Sequence, residues 1–282
     1  PAVARLGRKA SEQKRSDAPR ILVVSPTREL AMQSAEIAAI MPGLRSLCVY
    51  GGVPKYTQKK ALRNGIDLLV ATPGRLLYLA TEGNICGPNG NMLGDIDFVC
   101  LDEADRMLDM GFIPDVERIV SLLPRMRQTL FFSATMSDDI QKLGQKFVMN
   151  PKVIEVAPPA STAETVTQHL IWTDVKSKRQ TLRDILRKEA VKNAVIFCNR
   201  KRDIAVLVKS LTRHGFSAVA LHGDMTQSAR LQALQRFKDG EVPLMIASDV
   251  AARGLDIAGL SHVFNFDIPS HAEDYVHRIG RT

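Results

Sequence analysis

Short apolar runs alternate with amphipathic stretches along most of the 282 residues. Ile21-Leu22-Val23-Val24, Ser46 to Tyr50, Asp67 to Ala71, Phe98-Val99-Cys100-Leu101 and Thr129-Leu130-Phe131-Phe132 are dominated by apolar residues. That is the pattern of strands covered on both faces. Between them, Glu29 to Ile40, Lys55 to Arg63 and a stretch from about Gly74 read as helices. Strand–helix alternation predicts parallel sheets with helices on both faces. Near Glu155 the composition changes: Val156-Ala157-Pro158-Pro159-Ala160-Ser161-Thr162 has the prolines and small residues of a linker. A second series follows, with predicted strands at His169 to Thr173, Ala194 to Cys198, Ser217 to Leu221, Leu244 to Ser248 and His262 to Phe266, and a helix from Arg202 to His214. The expected fold class is α/β: two parallel-sheet domains, 1–154 and 168–282, joined by a short linker at 155–167.

Length suits two ordinary domains, and 45% hydrophobic residues is enough for two cores. Aromatic residues are only 5%, which argues against an aromatic platform as the main mode of nucleic-acid binding. Lys and Arg outnumber Asp and Glu by 38 − 30 = 8, a balance that fits a polyanionic partner. Cys48, Cys86, Cys100 and Cys198 form no CxxC pair, and they read as reduced thiols of a cytoplasmic protein without zinc or disulfides. No apolar stretch reaches the ~18 residues of a membrane span, and no signal peptide is visible. The segment through about Arg20 reads as a helix tail and solvated loop.

Asp102-Glu103-Ala104-Asp105 directly follows the Phe98 to Leu101 run. Carboxylates at the end of a buried parallel strand lie on the carboxyl edge of the sheet, where open α/β folds bind ligands. There Asp102 can hold a phosphate-bound Mg²⁺, and Glu103 can orient and deprotonate a water. Ser133-Ala134-Thr135 follows a second apolar strand in the same way. Thr27 and Arg28 sit where a strand passes into a helix, so free N–H groups and a cation suit a phosphate there; the simpler role for Thr27 is a helix cap. Gly51-Gly52 permits close backbone approach or makes a plain turn. Thr72-Pro73-Gly74-Arg75 opens another helix with a cap, a proline and a cation. His222-Gly223-Asp224 reads as a strand-to-helix turn with a packing role.

Taken together and in order, Pro26-Thr27-Arg28-Glu29-Leu30, Gly51-Gly52, Thr72-Pro73-Gly74-Arg75, the acidic tetrad, Ser133-Ala134-Thr135, Val195 to Asn199, Gln227 with Arg230, Ser248-Asp249-Val250-Ala251-Ala252-Arg253-Gly254-Leu255-Asp256 and His277-Arg278-Ile279-Gly280-Arg281-Thr282 resemble the DEAD-box RNA helicases of helicase superfamily 2. The resemblance implies two RecA-like domains, with ATP hydrolysis coupled to RNA binding. ATP and Mg²⁺ would be the cofactors. Asp102 would hold Mg²⁺, Glu103 would be the general base and Arg281 an arginine finger on the γ-phosphate. Asp256 would contact the ribose. His277 and Arg278 would link the phosphate site to the tetrad, Ser133 and Thr135 would couple the domains, and Asp105 would be their partner in that coupling. The RNA track would use Pro26, Thr27, Arg28, Gly51, Gly52, Thr72, Pro73, Gly74 and Arg75, then Phe197, Asn199, Gln227, Arg230, Ser248, Arg253 and Gly254. An aromatic in an apolar strand, such as Phe197, is otherwise a core residue. RNA would be bound with little sequence preference through its phosphates and 2′-hydroxyls.

No G-x-x-x-x-G-K-[ST] phosphate loop occurs in the sequence. In the family it precedes the Pro26-Thr27-Arg28 segment, and a further arginine follows Arg281-Thr282. The expectation is an internal fragment of a helicase that does not itself turn over ATP. Asp109 to Asp115 with Val156 to Ala160 looks most like the bacterial RhlE-type branch, which implies ribosome-assembly or RNA-turnover partners. Two other readings stand beside it. One is a non-catalytic RNA-binding protein on a helicase scaffold. The other is a DNA translocase of the same superfamily, against which Ala104, Asp105 and Ser133-Ala134-Thr135 count.

Overall fold

The computed structural model describes residues 18–82, 91–155, 166–252, 257 and 259–282. The chain divides into two compact units, Pro1–Pro159 and Ala160–Thr282. In the first, β1 (Ile21–Val24), β2 (Ser46–Val49), β3 (Leu68–Ala71), β4 (Phe98–Leu101) and β5 (Gln128–Phe131) form one sheet in the order β2-β3-β1-β4-β5. All neighbouring strands are parallel. Six helices accompany them among the described residues: α1 (Arg28–Ala39), α2 (Lys55–Arg63), α3 (Pro73–Thr81), α4 (Ala104–Asp109), α5 (Ile113–Ser121) and α6 (Asp138–Phe147).

The strand ends are in register. Val24 pairs with Ala71 and Leu101, Val49 with Ala71, and Leu101 with Phe131. The segments that follow therefore emerge side by side along one rim. Both faces of the sheet are covered. Leu22, Val24, Leu69, Leu101 and the inner faces of α3, α5 and α6 form one core, and Ile21, Leu68 and Val70 pack with Ala31 and Ala38 of α1 on the other side. Every residue of β3 is buried, the reason its sequence is a continuous apolar run rather than an alternating one.

The second unit repeats the plan with β6 (Ala194–Phe197), β7 (Ala218–Leu221), β8 (Leu244–Ala247) and β9 (His262–Asn265), ordered β7-β8-β6-β9 and parallel throughout. Its helices are α7 (Lys178–Lys188), α8 (Lys201–Arg213), α9 (Gln227–Lys238), α10 (Asp249–Ala252) and α11 (Ala272–Ile279). Two cores flank this sheet as well.

One expected strand is absent: His169 to Thr173 is neither strand nor helix. Leu170 is 71% and Trp172 88% exposed, and no described strand pairs with the segment. β-propensity alone does not hold an extended segment in a sheet without a partner ladder. Most of the expected linker, 156–165, and Arg253, Gly254 and Asp256 lie outside the described residues.

Candidate functional site

The acidic tetrad lies at the rim of the first sheet. Asp102 continues the sheet by donating its N–H to the Val24 carbonyl at 3.0 Å, and the chain then turns sharply. The turn is made at Glu103, which has φ 52° and ψ 56° and is the N-cap of α4. This left-handed conformation is unusual for a residue with a Cβ. It sets the Asp102 and Glu103 side chains at the head of α4, where the helix dipole favours negative charge. Burial is the main cause that raises both carboxyls above their usual range. Arg106, itself largely buried, holds Glu103 Oε2 at 2.7 Å, so Oε1 is the oxygen left to meet a water.

Asp105 points toward the Ser133-Ala134-Thr135 turn. Its Oδ2 accepts from the Thr135 N–H at 3.1 Å and from Thr135 Oγ1 at 3.3 Å. Ser133 Oγ donates to the Thr135 carbonyl at 2.7 Å, closing the turn. The segments after β4 and β5 are thereby tied together, and the Ala104 N–H donates to the Phe132 carbonyl at 2.9 Å beside them.

Three more segments share this rim. Thr27 caps α1, its Oγ1 accepting from the Leu30 N–H at 3.3 Å, with Pro26 buried before it. Arg28 reaches across to the glycine pair after β2. A Cβ on Gly52, whose φ is +85°, would stand 2.5 Å from Arg28 Nη1, so a side chain there would push the guanidinium aside. Thr72 and Pro73 open α3, with Gly74 exposed at its first turn. Arg75 is fastened: Nη1 donates to Gln58 Oε1 at 2.9 Å and Nη2 to the Val53 carbonyl at 3.1 Å. Gln58 in turn donates to the Tyr50 carbonyl at 3.1 Å. Sequence reasoning missed Gln58. Its only signal was a polar residue on the apolar side of α2, where it is buried beside Leu62.

In the second unit the rim is organised by Arg278, which is only 2% exposed. Arginine has five N–H donors, and each is used. Nε and Nη2 grip the two carboxylate oxygens of Asp249 at 2.6 Å each, and Nη2 also donates to Asn199 Oδ1 at 3.0 Å. Nη1 donates to Asn265 Oδ1 at 2.9 Å and to the Asp267 carbonyl at 2.6 Å. The guanidinium also lies over the Phe197 ring at 4.8 Å. Phe197 is buried in the core below it. Asn199 is committed as well, donating to the Ile268 carbonyl at 2.8 Å and, through its N–H, to Asp267 Oδ2 at 3.0 Å. The structure thus makes Arg278 a tie between the ends of β6, β8 and β9 and α11. Asn265 and Asp267, which complete the tie, were not picked from the sequence, and Asp249 was quoted within the Ser248 to Asp256 segment without a role; no short spacing connects the three.

Gln227 and Arg230 stand in the first turn of α9, which Thr226 caps. Ser248 is buried, and its carbonyl accepts from the N–H groups of Ala251 and Ala252. His277 and Arg281 lie at the carboxyl end of α11 and just past it, and the Arg281 carbonyl accepts from Leu260 N–H. His222-Gly223-Asp224 forms the turn between β7 and α9, with Asp224 paired to Lys201 at 2.6 Å.

Cys48, Cys100 and Cys198 are free thiols, and burial pushes each up to about 12. Burial in apolar surroundings keeps such thiols protonated and suits them to packing. Among the described residues no helix is long and apolar enough to cross a membrane. No group of three or more His, Cys, Asp or Glu there forms a metal cage. Asp102 at the rim nevertheless fits Mg²⁺, which is commonly held by one or two carboxylates together with substrate phosphates. A cavity of about 1060 Å³ borders the open side of β5, and none of the candidate residues lines it.

Two family models match. "DEAD/DEAH box helicase" covers residues 1–143 and "Helicase conserved C-terminal domain" covers 177–282. Over 272 residues the chain is 41% identical to the DEAD-box ATP-dependent RNA helicase CshA of Geobacillus kaustophilus, covering 95% of this chain and 57% of that protein. DEAD-box ATP-dependent RNA helicase 5 of Oryza sativa is 44% identical over 292 aligned positions, 100% of this chain and 56% of the relative. The chain thus spans little more than half the length of these relatives. Among solved structures, S. cerevisiae Dbp5 bound to RNA and ADP BeF3 superposes with a TM-score of 0.81 at 27% identity, over 99% of this chain and 72% of that one.

Proposed function

Because this chain belongs to the DEAD/DEAH box helicase family, we propose that it is the catalytic region of an ATP-dependent RNA helicase. Its units, 1–154 and 168–282 with a linker at 155–167, close together on ATP and RNA and open again after hydrolysis. The observation that carries this reading is the rim of β4. Two adjacent carboxylates raised by burial stand there at a helix start, and a third, Asp105, is tied to Thr135.

In this reading Asp102 would hold Mg²⁺, which would supply positive charge beside the nucleotide phosphates. Glu103 takes a proton from the attacking water. Its pKa, raised by burial, brings it nearer the pH at which a general base works best. Arg281 supplies a cation to the γ-phosphate, and Asp256 contacts the ribose. Asp105, Ser133 and Thr135 report the state of the acidic rim to the neighbouring segments. His277 and Arg278 act with Asp249 to place α11, which ends beside Arg281.

RNA runs along the rims. In the first unit it meets Pro26, Thr27, Arg28, Gly51, Gly52 and the Thr72-Pro73-Gly74-Arg75 helix start; in the second it meets Asn199, Gln227, Arg230, Ser248, Arg253 and Gly254. Phe197, buried under Arg278, supports this track from below. Helix starts and short polar side chains suit phosphates and 2′-hydroxyls, so binding is sequence-tolerant and weakens with salt. Asp109 to Asp115 and Val156 to Ala160 support the RhlE-type bacterial branch, hence a cytoplasmic role with ribosome-assembly or RNA-turnover proteins.

The sequence holds no G-x-x-x-x-G-K-[ST] segment, so this reading gives the chain itself RNA binding without ATP turnover. RNA-stimulated phosphate release is the test, measured on this chain and on a longer version that carries such a segment ahead of Pro26. Turnover in the longer protein alone is the expected outcome. Turnover in neither, with RNA still bound, favours the non-catalytic RNA-binding scaffold. Equal binding of DNA in competition with RNA of the same length overturns the choice of RNA.

A further inference from the structure

Three of the described helices contain no carboxylate: α2, α3 and α9. Every other one carries at least one acidic residue, among them Glu29 in α1, Asp184 in α7, Asp203 in α8 and Asp274 in α11. Each of the three begins at an RNA segment proposed above; α1, which also begins at one, carries Glu29 and Glu36. α2 follows Gly51-Gly52, α3 opens at Thr72-Pro73, and α9 opens at Gln227. A solvated helix face ordinarily mixes both signs, whereas a surface that lies along a polyanion gains from excluding carboxylates throughout its length.

α2 is the most one-sided, with Lys55, Lys59, Lys60 and Arg63 in nine residues. These cations divide into two sets. Lys55 and Lys59 turn toward α3, where Lys55 bonds Tyr78 and Lys59 pairs with Glu82, both ammonium groups lying over the Tyr78 ring. Lys60 and Arg63 do not. With Tyr56 they are spaced i, i+4 and i+7, which puts them on one helix face. All three are exposed, Tyr56 by 72%. The face runs about 10 Å along the helix at ~1.5 Å per residue, and it starts within one turn of the rim glycines.

We infer that Tyr56, Lys60 and Arg63 form an RNA-contacting surface that carries the strand beyond the rim and down the outside of α2. This rests on the RNA reading of the rim. Lys60 and Arg63 meet phosphates, and Tyr56 offers its ring to a base or ribose, the one exposed aromatic of that helix.

The test is fluorescence anisotropy of this chain with a labelled single-stranded RNA across a range of salt. Substitutions K60Q/R63Q are compared with R125Q/K152Q, a charge-matched pair of exposed residues near β5, after circular dichroism shows that each variant is folded. Removing two phosphate contacts is expected to reduce the slope of log K against log salt by about 1.4, at ~0.7 per contact on a single strand, while the control pair leaves it nearly unchanged. Tyr56→Ala is expected to weaken binding about tenfold without altering the slope. An unchanged slope in K60Q/R63Q overturns the proposal, as does an equal loss in the control pair, which would mean a net-charge effect only. If the unsubstituted chain binds no RNA, the reading of the rim falls with it; if it binds and only the α2 comparison fails, the rim stands and the α2 surface does not.

Discussion

Asp102 and Glu103, the residues proposed to serve the metal and the water, are held at the rim at a cost from burial. Both carboxyls are raised because burial penalises the charged form. The native state then keeps a proton to higher pH than the unfolded chain does. Stability contributed at Asp102 is accordingly greatest at acid pH, and it falls as pH rises from the ordinary carboxylate value of ~4 through the raised native one. Asp102→Asn removes that slope. It is expected to stabilise the first unit at neutral pH by roughly 0.5–2 kcal/mol, the usual gain from relieving a functional position, while abolishing Mg²⁺-dependent turnover in the longer version. Thermal denaturation of both proteins over that pH range checks it. Glu103→Gln keeps an oxygen for Arg106 and leaves the left-handed turn in place, so folding and RNA binding are expected to persist. Phosphate release in the longer version should drop by about 10²–10⁴, the typical contribution of a general base. These two residues were legible because they directly follow an apolar run. The grouping of Asp105 with Ser133 and Thr135 came from the family resemblance alone, since thirty positions separate Asp105 from Thr135 and no spacing rule joins them.

At the scale of elements, the strands were readable because parallel strands buried on both faces leave continuous apolar runs, as at Leu68–Ala71, Ala194–Phe197 and Leu244–Ala247. Their ends shifted by one residue or so, as assigned boundaries commonly do. His169 to Thr173 had the same composition without a partner strand, and composition does not report partners. Gly51-Gly52 was legible as a close approach, but the group that approaches, Arg28, emerged only from the fold. Two glycines separate the causes there. Gly43 and Gly52 both have positive φ, 75° and 85°, yet an added Cβ meets nothing within 4 Å at Gly43 and sits 2.5 Å from Arg28 at Gly52. Each Ala variant is expected to lose about 1 kcal/mol from the backbone. Only Gly52→Ala displaces the guanidinium and is expected to weaken RNA binding severalfold. Urea midpoints and RNA anisotropy, read on both variants, distinguish the shared penalty from the specific one; equal RNA affinities would remove Arg28 and Gly52 from the track.

On the scale of the whole molecule, the chain has two units with cores of their own. The clusters around Leu22 and Ile21 draw only on the first, and those around Val195 and Ile196 only on the second. A protein built this way is expected to unfold in two transitions rather than one. The tie at Arg278 provides a label for the second of them. Asp249→Ala leaves an arginine that is 2% exposed without the carboxylate that takes two of its donors. Breaking a buried pair from one side costs about 3–5 kcal/mol, a large fraction of a small domain's stability. Differential scanning calorimetry should therefore show one transition of the Asp249→Ala variant displaced downward and the other unmoved. Asp249→Asn keeps one acceptor and should fall between the two. The functional consequence follows from what Arg278 connects, because it joins Asn199 and the start of α10 to α11. Loosening it is expected to impair RNA binding and, in the longer version, ATP turnover together, whereas Arg281→Ala is expected to slow turnover by up to ~10³–10⁵ with little change in RNA affinity. A variant at Asp249 that lost turnover alone would instead place that residue at the phosphates.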